Sequence, residues 1–218
     1  LAFAQNFDVE KEYGLADKLK RALYDKLIYK KWREALGGEC MGICTGAAAL
    51  NPLLARVFTC AGIPIMEGYG QTESSPVISL NPFDLSRIKF GTVGIPIQGV
   101  EVRLDHREGM AEGEGEILAK GPNVMMGYYK RPDVTAETVV DGWLKTGDVG
   151  KFIDYKGSRY IRITDRVKEL FKTSGGKYIA PQQLENKMKE IPYIEQIMVV
   201  GENRNYVTAL IVPNMLNL

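Results

Sequence analysis

The first part of the chain alternates between apolar residues at helical spacing and short, continuous apolar runs. Leucines recur at helical spacing across residues 15–36, which predicts a helix that the glycine pair at 37–38 ends. Residues 39–44 and 63–66 predict two short strands, and residues 52–60 predict a second helix between them. Helices that alternate with strands in this way are typical of a parallel sheet. We therefore expect an α/β fold for this part of the chain.

After Pro82 the pattern changes to many short apolar runs that glycine or proline separates. The predicted strands are 100–104, 115–119 and a hairpin of 151–153 with 160–163. Short strands with frequent turns predict a small β-barrel or sandwich attached to the α/β sheet.

A third pattern begins at residue 165. Residues 177–179 predict a strand, Pro181 predicts the start of a helix, and residues 197–200 with 206–212 predict a hairpin. Together they predict a small α+β domain that ends before it is complete. The predicted division is a larger domain at 1–164 and a small domain at 165–218. Because the chain begins at Leu1 without methionine, we expect a fragment of a longer protein.

Composition narrows the class of protein. The 218 residues are 45% hydrophobic and 25% charged, with a net charge of +1, which argues against a nucleic-acid binder held by a general basic field. No signal-peptide pattern or membrane-spanning apolar run is present. Three cysteines in apolar settings predict reduced core thiols in a cytoplasmic protein. With His106 as the only histidine, a four-ligand zinc site is not expected.

The predicted helix at 15–36 carries a lysine- and arginine-rich face opposite its leucines. A solvated surface is the simpler interpretation of this face. The alternative is a docking face for anionic lipid or cofactor phosphates, with peripheral membrane contact at the inner face of the membrane.

A loop at residues 68–73 combines three kinds of nucleotide-contacting chemistry. Tyr69 offers a flat face for a base, Thr72 a hydroxyl for a phosphate oxygen, and Glu73 a hard oxygen for magnesium. The flanking glycines let the backbone approach a ligand closely, although a glycine-rich turn without function is the alternative.

Three further clusters follow along the chain. Asp148, after a glycine at the end of a short predicted strand, suits the paired hydroxyls of a ribose, or it forms an Asx turn. Asp165 and Arg166 form either a surface ion pair or a nucleotide contact at a hinge. Residues 172–177 lack the glycine and hydroxyl positions of a phosphate-binding P-loop, so that interpretation fails.

Four segments in this order resemble the adenylate-forming superfamily of acyl-CoA synthetases, luciferases and adenylation domains. They are residues 69–73, 115–129, 146–148 and 165–168. Residues 61–104 and 165–214 are most similar to bacterial long-chain fatty acid CoA ligases. The resemblance implies that a carboxylate attacks the α-phosphate of Mg-ATP, and that the thiol of coenzyme A then displaces AMP. It also implies that the small domain is a lid.

The resemblance assigns roles to individual residues. Tyr69 would stack on adenine, Thr72 would contact the α-phosphate, and Glu73 would hold Mg²⁺. Asp148 would bind the ribose, Arg166 the ribose or phosphate, and Lys168 would be the hinge. The remaining candidates are Gly46 and Ala47 beside the adenine, Gly70 and Gln71 in the nucleotide loop, Lys172 as a further catalytic residue, and Gly175 along the pantetheine channel.

These roles imply a fatty acid, ATP and coenzyme A as partners. The alternatives are an adenylation enzyme for another acid or for a carrier-protein acceptor, and a non-catalytic nucleotide-binding fragment. The phosphate-gripping loop and the adenylation lysine of the superfamily would lie upstream and downstream of this chain. We therefore expect the 218 residues alone to be inactive.

Overall fold

A computed structural model describes residues 2–217 and divides the chain into two compact units. The first unit comprises the residues up to Thr72 together with Pro76–Ile97 and Asp154–Tyr160. The second comprises Glu73–Ser75, Gln98–Ile153 and the residues from Ile161 onward. Neither unit ends at residue 164, and the predicted domain boundary there stays a prediction.

The first unit carries four helices and a mixed four-stranded sheet. The helices are α1 (Ala2–Gln5), α2 (Leu15–Tyr24), α3 (Lys30–Ala35) and α4 (Pro52–Cys60), with a π-helical stretch at Asp25–Tyr29 between α2 and α3. The strands, in sheet order, are β1 (Ile43–Thr45), β2 (Ile65–Tyr69), β3 (Ser79–Leu80) and β4 (Ile95–Pro96). Only the β1–β2 pair is parallel among these described strands.

The structure confirms the helix predicted at 52–60 and the parallel pairing of the first two strands. The Asn51 side chain caps α4 by accepting a hydrogen bond from the Leu53 amide at 2.8 Å, and Pro52 occupies the first turn. The strand predicted at 63–66 instead runs from Ile65 to Tyr69. Gly68 and Tyr69 are therefore strand residues and not part of a loop.

The leucine stripe on the first long helix is exposed, contrary to the usual expectation for such a stripe. Leu15 is 77% and Leu19 64% exposed, whereas Tyr29 is 5% exposed. The core cluster of this unit buries Phe7, Tyr29, Val57 and neighbouring residues, with Trp32 packed against it. Because these aromatic side chains face the core, the leucines lie on the other side of the helix.

The cysteine prediction is right in part. All three cysteines are free, and Cys60 is buried, but Cys44 is exposed and Cys40 is half-buried. Cys44 is the middle residue of β1, and its neighbours Ile43 and Thr45 are half-buried.

A five-stranded antiparallel sheet lies mainly in the second unit, and residues Asp154–Tyr160 at the tip of its last hairpin belong to the first unit. Its strands are β5 (Glu101–Asp105), β6 (Glu114–Lys120), β7 (Val139–Val140), β8 (Trp143–Tyr155) and β9 (Ser158–Arg166). The order is β5-β6-β8-β7, and β9 pairs with β8. Lys156 (φ 48°) and Gly157 (φ 72°) form the tight turn between β8 and β9. These pairings confirm the predicted strands but describe a sheet, so the barrel stays a prediction.

The second unit also contains two helices and two further hairpins. The elements are α5 (Pro132–Thr138), β10 (Phe171–Lys172) paired with β11 (Tyr178–Ile179), α6 (Pro181–Met188), and β12 (Ile194–Val200) paired with β13 (Thr208–Pro213). The helix start at Pro181 and the final hairpin are confirmed. Across residues 2–217, no helix combines the length and apolar character needed to cross a membrane.

Candidate functional site

The nucleotide loop predicted at 68–73 begins inside the first unit. Tyr69 ends β2 and is 8% exposed, Gln71 is half-buried and Thr72 is exposed. A Cβ on Gly70 would lie 1.7 Å from the carbonyl oxygen of Pro76. Glycine at this position is therefore required by the packing of the chain against itself. Close approach of a ligand is not needed to explain it.

The neighbouring loop after β1 contains Gly46 and Ala47. Both are exposed, and Ala47 has the left-handed backbone with φ 69°. The loop is tied to β2 by Glu67, whose carboxylate accepts a hydrogen bond from the Leu50 amide at 3.2 Å. Burial of Glu67 raises the pKa of its carboxyl to about 7. Sequence reasoning missed this residue, because nothing in the pattern distinguishes it from an exposed acid.

Glu73 belongs to the second unit, although it shares a 3₁₀ turn, Thr72–Ser74, with the end of the first. Its carboxylate accepts a hydrogen bond from the hydroxyl of Tyr128 at 2.6 Å. The backbone carbonyl of Glu73 accepts a second bond, at 2.8 Å, from the Met125 amide. The hydrogen bond to Glu73 raises the pKa of Tyr128. Tyr128 and Met125 both lie in the segment 115–129, so the structure joins this segment to Glu73.

The chemistry of Glu73 suits Mg²⁺ only with phosphate present. Residues 2–217 contain no cluster of three or more histidine, cysteine, aspartate or glutamate side chains that could hold a metal. Magnesium usually takes one or two protein carboxylates together with substrate phosphates and water. A single carboxylate held in place by Tyr128 fits that requirement.

Asp148 lies in a bulge within a long strand, and not at the end of a short one as the sequence predicts. In the β6–β8 pairing, Glu116 lies opposite Val149 and Leu118 opposite Lys145. Three residues of β8, 146–148, therefore face the single residue Ile117.

Thr146 and Gly147 close this bulge. The Thr146 hydroxyl donates to the Ile117 carbonyl at 2.8 Å and accepts from the Asp148 amide at 3.1 Å. Gly147 takes the left-handed backbone with φ 75° that the bulge requires. The hydroxyl of Thr146 thus makes the local turn contact that an Asx turn would make.

The bulge is joined directly to the start of the predicted hinge. The Arg166 guanidinium donates from Nε to Oδ1 of Asp148 at 3.1 Å, and the Val167 amide donates to the Gly147 carbonyl at 2.8 Å. Arg166 therefore pairs with Asp148, so the interpretation of a surface ion pair with Asp165 is wrong.

Asp165 is fully buried. Its carboxylate accepts hydrogen bonds from the backbone amides of Arg166 at 2.7 Å and Gln182 at 3.2 Å. Burial raises the pKa of Asp165 to about 6. This side chain therefore holds the backbone on both sides of the predicted hinge.

The other candidates lie in exposed turns and short strands after β9. Lys168 occupies an exposed turn at 167–169, in which the Glu169 amide donates to the Arg166 carbonyl at 3.0 Å. Lys172 is exposed in β10, with Nζ 5.0 Å from the ring centre of Tyr178. No atom lies within 4 Å of where a Cβ on Gly175 would be, so the space around this glycine is open.

The structure thus brings together Asp148, Arg166 and the turn that carries Lys168, all within the second unit. Tyr69, Gly70, Gln71 and Thr72 form one continuous segment in the first unit. Sequence reasoning missed Tyr128, Glu67 and Glu116, although Tyr128 lies in a segment that it singled out. Glu116 accepts from the Gly147 amide at 3.0 Å.

Two family matches cover most of the chain. Residues 10–129 match the AMP-binding enzyme family, and residues 169–217 match the AMP-binding enzyme C-terminal domain. The first match alone includes Gly46, Tyr69, Glu73 and Tyr128.

Curated relatives and solved structures agree with these matches. A long-chain-fatty-acid–CoA ligase of Mycobacterium bovis is 39% identical over 91% of this chain and 31% of its own length. Human long-chain-fatty-acid–CoA ligase 1 is 39% identical over 89% of this chain and 28% of its own length. The structure of Bacillus subtilis O-succinylbenzoate coenzyme A synthetase in complex with AMP matches with a TM-score of 0.67 and 28% identity, over 79% of this chain and 36% of that one. The chain therefore spans about a third of the length of these proteins.

Proposed function

Since the chain belongs to the AMP-binding enzyme family, we propose that it supplies the nucleotide-binding part of an acid–thiol ligase for long-chain fatty acids. The enzyme would activate the acid with ATP and transfer the acyl group to coenzyme A. The choice of acid rests on the similarity to the bacterial and human long-chain ligases.

One observation carries the proposal most strongly. Asp148 projects from a strand bulge and pairs with Arg166, and the backbone of the same bulge is bonded to Val167. A carboxylate and a guanidinium held side by side can bind ribose hydroxyls and a phosphate of one nucleotide. The adjoining turn with Lys168 then places the hinge of the small domain directly beside the nucleotide.

The proposed reaction has two half-reactions. A carboxylate oxygen of the fatty acid attacks the α-phosphorus of ATP, and pyrophosphate leaves with the electron pair of the broken P–O bond. The coenzyme A sulfur then attacks the acyl carbon, its proton is lost, and AMP leaves. In the first step, Tyr69 stacks on adenine, and Gly70 and Gln71 bind the nucleotide from the adjoining segment. Gly46 and Ala47 border the base, and Thr72 binds the α-phosphate.

Glu73 would hold Mg²⁺, which neutralises charge on the ATP phosphates. The hydroxyl of Tyr128 fixes the Glu73 carboxylate by a charged hydrogen bond. The Met125 amide holds the backbone of Glu73 through its carbonyl oxygen.

The mixed anhydride formed in the first step hydrolyses readily, so the site must exclude water and then admit only a thiol. Rotation of the small domain about Lys168 would do both. The same movement would bring Lys172 to the reacting groups and Gly175 to the pantetheine arm. The open space around Gly175 leaves room for such a chain.

Since the relatives are about three times as long as this chain, we propose that turnover needs segments outside these 218 residues. We place the protein in the cytoplasm. Leu15 and Leu19 are exposed on α2, which also carries the exposed Lys18 and Lys20, and this supports peripheral contact with the inner face of an anionic membrane.

The proposed function is tested by product analysis on the intact protein. With palmitate, ATP, Mg²⁺ and coenzyme A, we expect stoichiometric palmitoyl-CoA, AMP and pyrophosphate by chromatography. Parallel reactions replace palmitate with acetate or benzoate, and coenzyme A with a phosphopantetheinylated carrier protein. Thioester formation only with another acid, or only on the carrier protein, would contradict the assignment as a long-chain fatty acid CoA ligase.

A further inference from the structure

The bulge that carries Asp148 is supported from the opposite strand by a buried carboxylate. A bulge leaves backbone groups without their usual partners in the ladder, and a buried amide without a partner is costly. Oε1 of Glu116 accepts from the Gly147 amide at 3.0 Å. The amide of the middle residue of the bulge is therefore bonded to a side chain.

The carboxylate of Glu116 is itself held on its other oxygen. Oε2 pairs with Nη2 of Arg107, and the Glu116 side chain is 5% exposed. A buried charge is stable only when it is paired and hydrogen-bonded. Arg107 and Gly147 together meet this condition, so Arg107, Glu116 and Gly147 form a continuous chain of bonds that ends one residue before Asp148.

We propose that Glu116 is a positioning residue for ribose recognition. By fixing the Gly147 amide, it sets the shape of the bulge and hence the direction in which the Asp148 carboxylate projects toward the ribose hydroxyls. This inference rests on the proposed nucleotide-binding role of Asp148. It adds a residue that never touches the nucleotide, and Arg107 behind it.

A neighbouring residue shows that burial alone does not give this role. Glu114 lies two positions earlier in β6 and is also buried, with its side chain 7% exposed. Its carboxylate lies 3.7 Å from Nζ of Lys151 and accepts from the Gln183 side chain at 3.5 Å. These partners lie outside the bulge. Glu114 is therefore the matched control for a buried carboxylate on the same strand.

The test compares AMP with 2′-deoxyAMP by calorimetry on the intact protein. One charged hydrogen bond to the missing hydroxyl corresponds to a preference for AMP of about tenfold or more. We expect Asp148→Ala to abolish this preference, and Glu116→Ala to reduce it severalfold or more. Glu116→Gln keeps an oxygen acceptor for the Gly147 amide, so we expect it to retain most of the preference. Glu114→Gln should leave the preference unchanged.

The outcomes separate this inference from the proposed function. If Asp148→Ala keeps the preference, or if the wild type has none, Asp148 does not read the ribose and both ideas are wrong. If Asp148→Ala abolishes the preference while Glu116→Ala weakens both nucleotides equally, Glu116 is only structural and this inference alone is overturned. If Glu116→Ala binds neither nucleotide, hydrogen exchange of the Gly147 amide is measured by NMR. Faster exchange in this variant than in wild type would confirm that the bulge has loosened. Unchanged exchange there would overturn the inference.

Discussion

At the scale of single residues, buried carboxylates hold the backbone around the candidate site. Glu67 accepts from the Leu50 amide, Glu116 from Gly147, and Asp165 from both Arg166 and Gln182. Each of these amides lies in a loop, a bulge, a strand end or the first turn of a helix, where regular backbone pairing is interrupted. A carboxylate is the strongest acceptor available for such an amide. The shape of the site therefore depends on acids that do not contact the substrate.

Glu67 makes the stability of the first unit depend on pH. Burial raises the pKa of its carboxyl from 4.5 to about 7, so the folded state binds the proton more tightly than the unfolded state. This contribution to the free energy of unfolding is full below the unfolded-state pKa and is lost as pH rises through about 7. We expect wild type to lose about 2 to 3 kcal/mol between about pH 5 and about pH 8 from this group.

Urea unfolding followed by Trp32 fluorescence measures this effect. In the 218-residue chain Trp143 is the other tryptophan, so a Trp143→Phe background of this chain confines the signal to the first unit. Glu67→Gln keeps an acceptor for the Leu50 amide but cannot ionise. Its free energy of unfolding should therefore fall by about 2 to 3 kcal/mol less than that of wild type between about pH 5 and about pH 8. Asp165 also has a raised pKa, but it is present in both proteins and cancels in the comparison. Parallel pH profiles would show that Glu67 is not the group responsible.

At the scale of elements, the β8–β9 pair connects the proposed ribose contact to the proposed hinge. The bulge at 146–148 and the turn at 167–169 lie at the same end of the pair, connected by the bond between the Val167 amide and the Gly147 carbonyl. A change of backbone angles at Lys168 would therefore begin one residue beyond a segment fixed to the bulge. The proposed hinge would thus follow a segment that the bulge holds in place, as a lid with two positions requires.

Lys168→Pro tests the hinge through the two half-reactions. Proline fixes φ at about −65°, which restricts changes of the backbone angles at this position, so one position of the lid should persist. We expect ATP–pyrophosphate exchange to stay within about twofold of wild type, while transfer to coenzyme A falls by at least about tenfold. Single-turnover assays with preformed acyl-adenylate measure the second step alone. Lys168→Ala removes the side chain but keeps the backbone free, so it should retain transfer, and equal loss of both steps in Lys168→Pro would argue against the hinge.

The sequence predicts elements better than it predicts their contacts. Local periodicity and the placement of proline predict three elements that the structure confirms. They are the helix at 52–60, the helix from Pro181 and the last hairpin of the chain. The bulge at Asp148 could not be predicted, because it depends on the register between β6 and β8. The exposed leucines of α2 show the same limit. Helical spacing identifies a face, but the competing aromatic residues decide which face is buried.

In the candidate site, too, local features are predictable from the sequence and tertiary contacts are not. Its residue types and order along the chain are readable, since each motif is local. That Arg166 pairs with Asp148 and not with Asp165 is a tertiary fact, as is the hydrogen bond from Tyr128 to Glu73. Glu116 carries no local signal, because its role depends on the strand beside it.

At the scale of the whole molecule, the chain belongs to the AMP-binding enzymes and spans about a third of the length of long-chain ligases. The two compact units divide the proposed contacts. Adenine and α-phosphate contacts belong to the first unit, and the metal carboxylate, ribose contacts and hinge belong to the second. Each unit therefore carries part of the proposed set of nucleotide contacts.

Fatty acid-dependent ATP–pyrophosphate exchange in the intact protein tests the proposed adenylation site most directly. We expect Asp148→Ala and Glu73→Ala each to reduce exchange by about tenfold to a thousandfold, the range for losing one to two charged contacts in the transition state. Glu112→Ala, which removes an exposed carboxylate in the turn before β6, should leave the rate unchanged. If both site variants retain wild-type exchange, the central claim that these residues form an adenylation site is wrong.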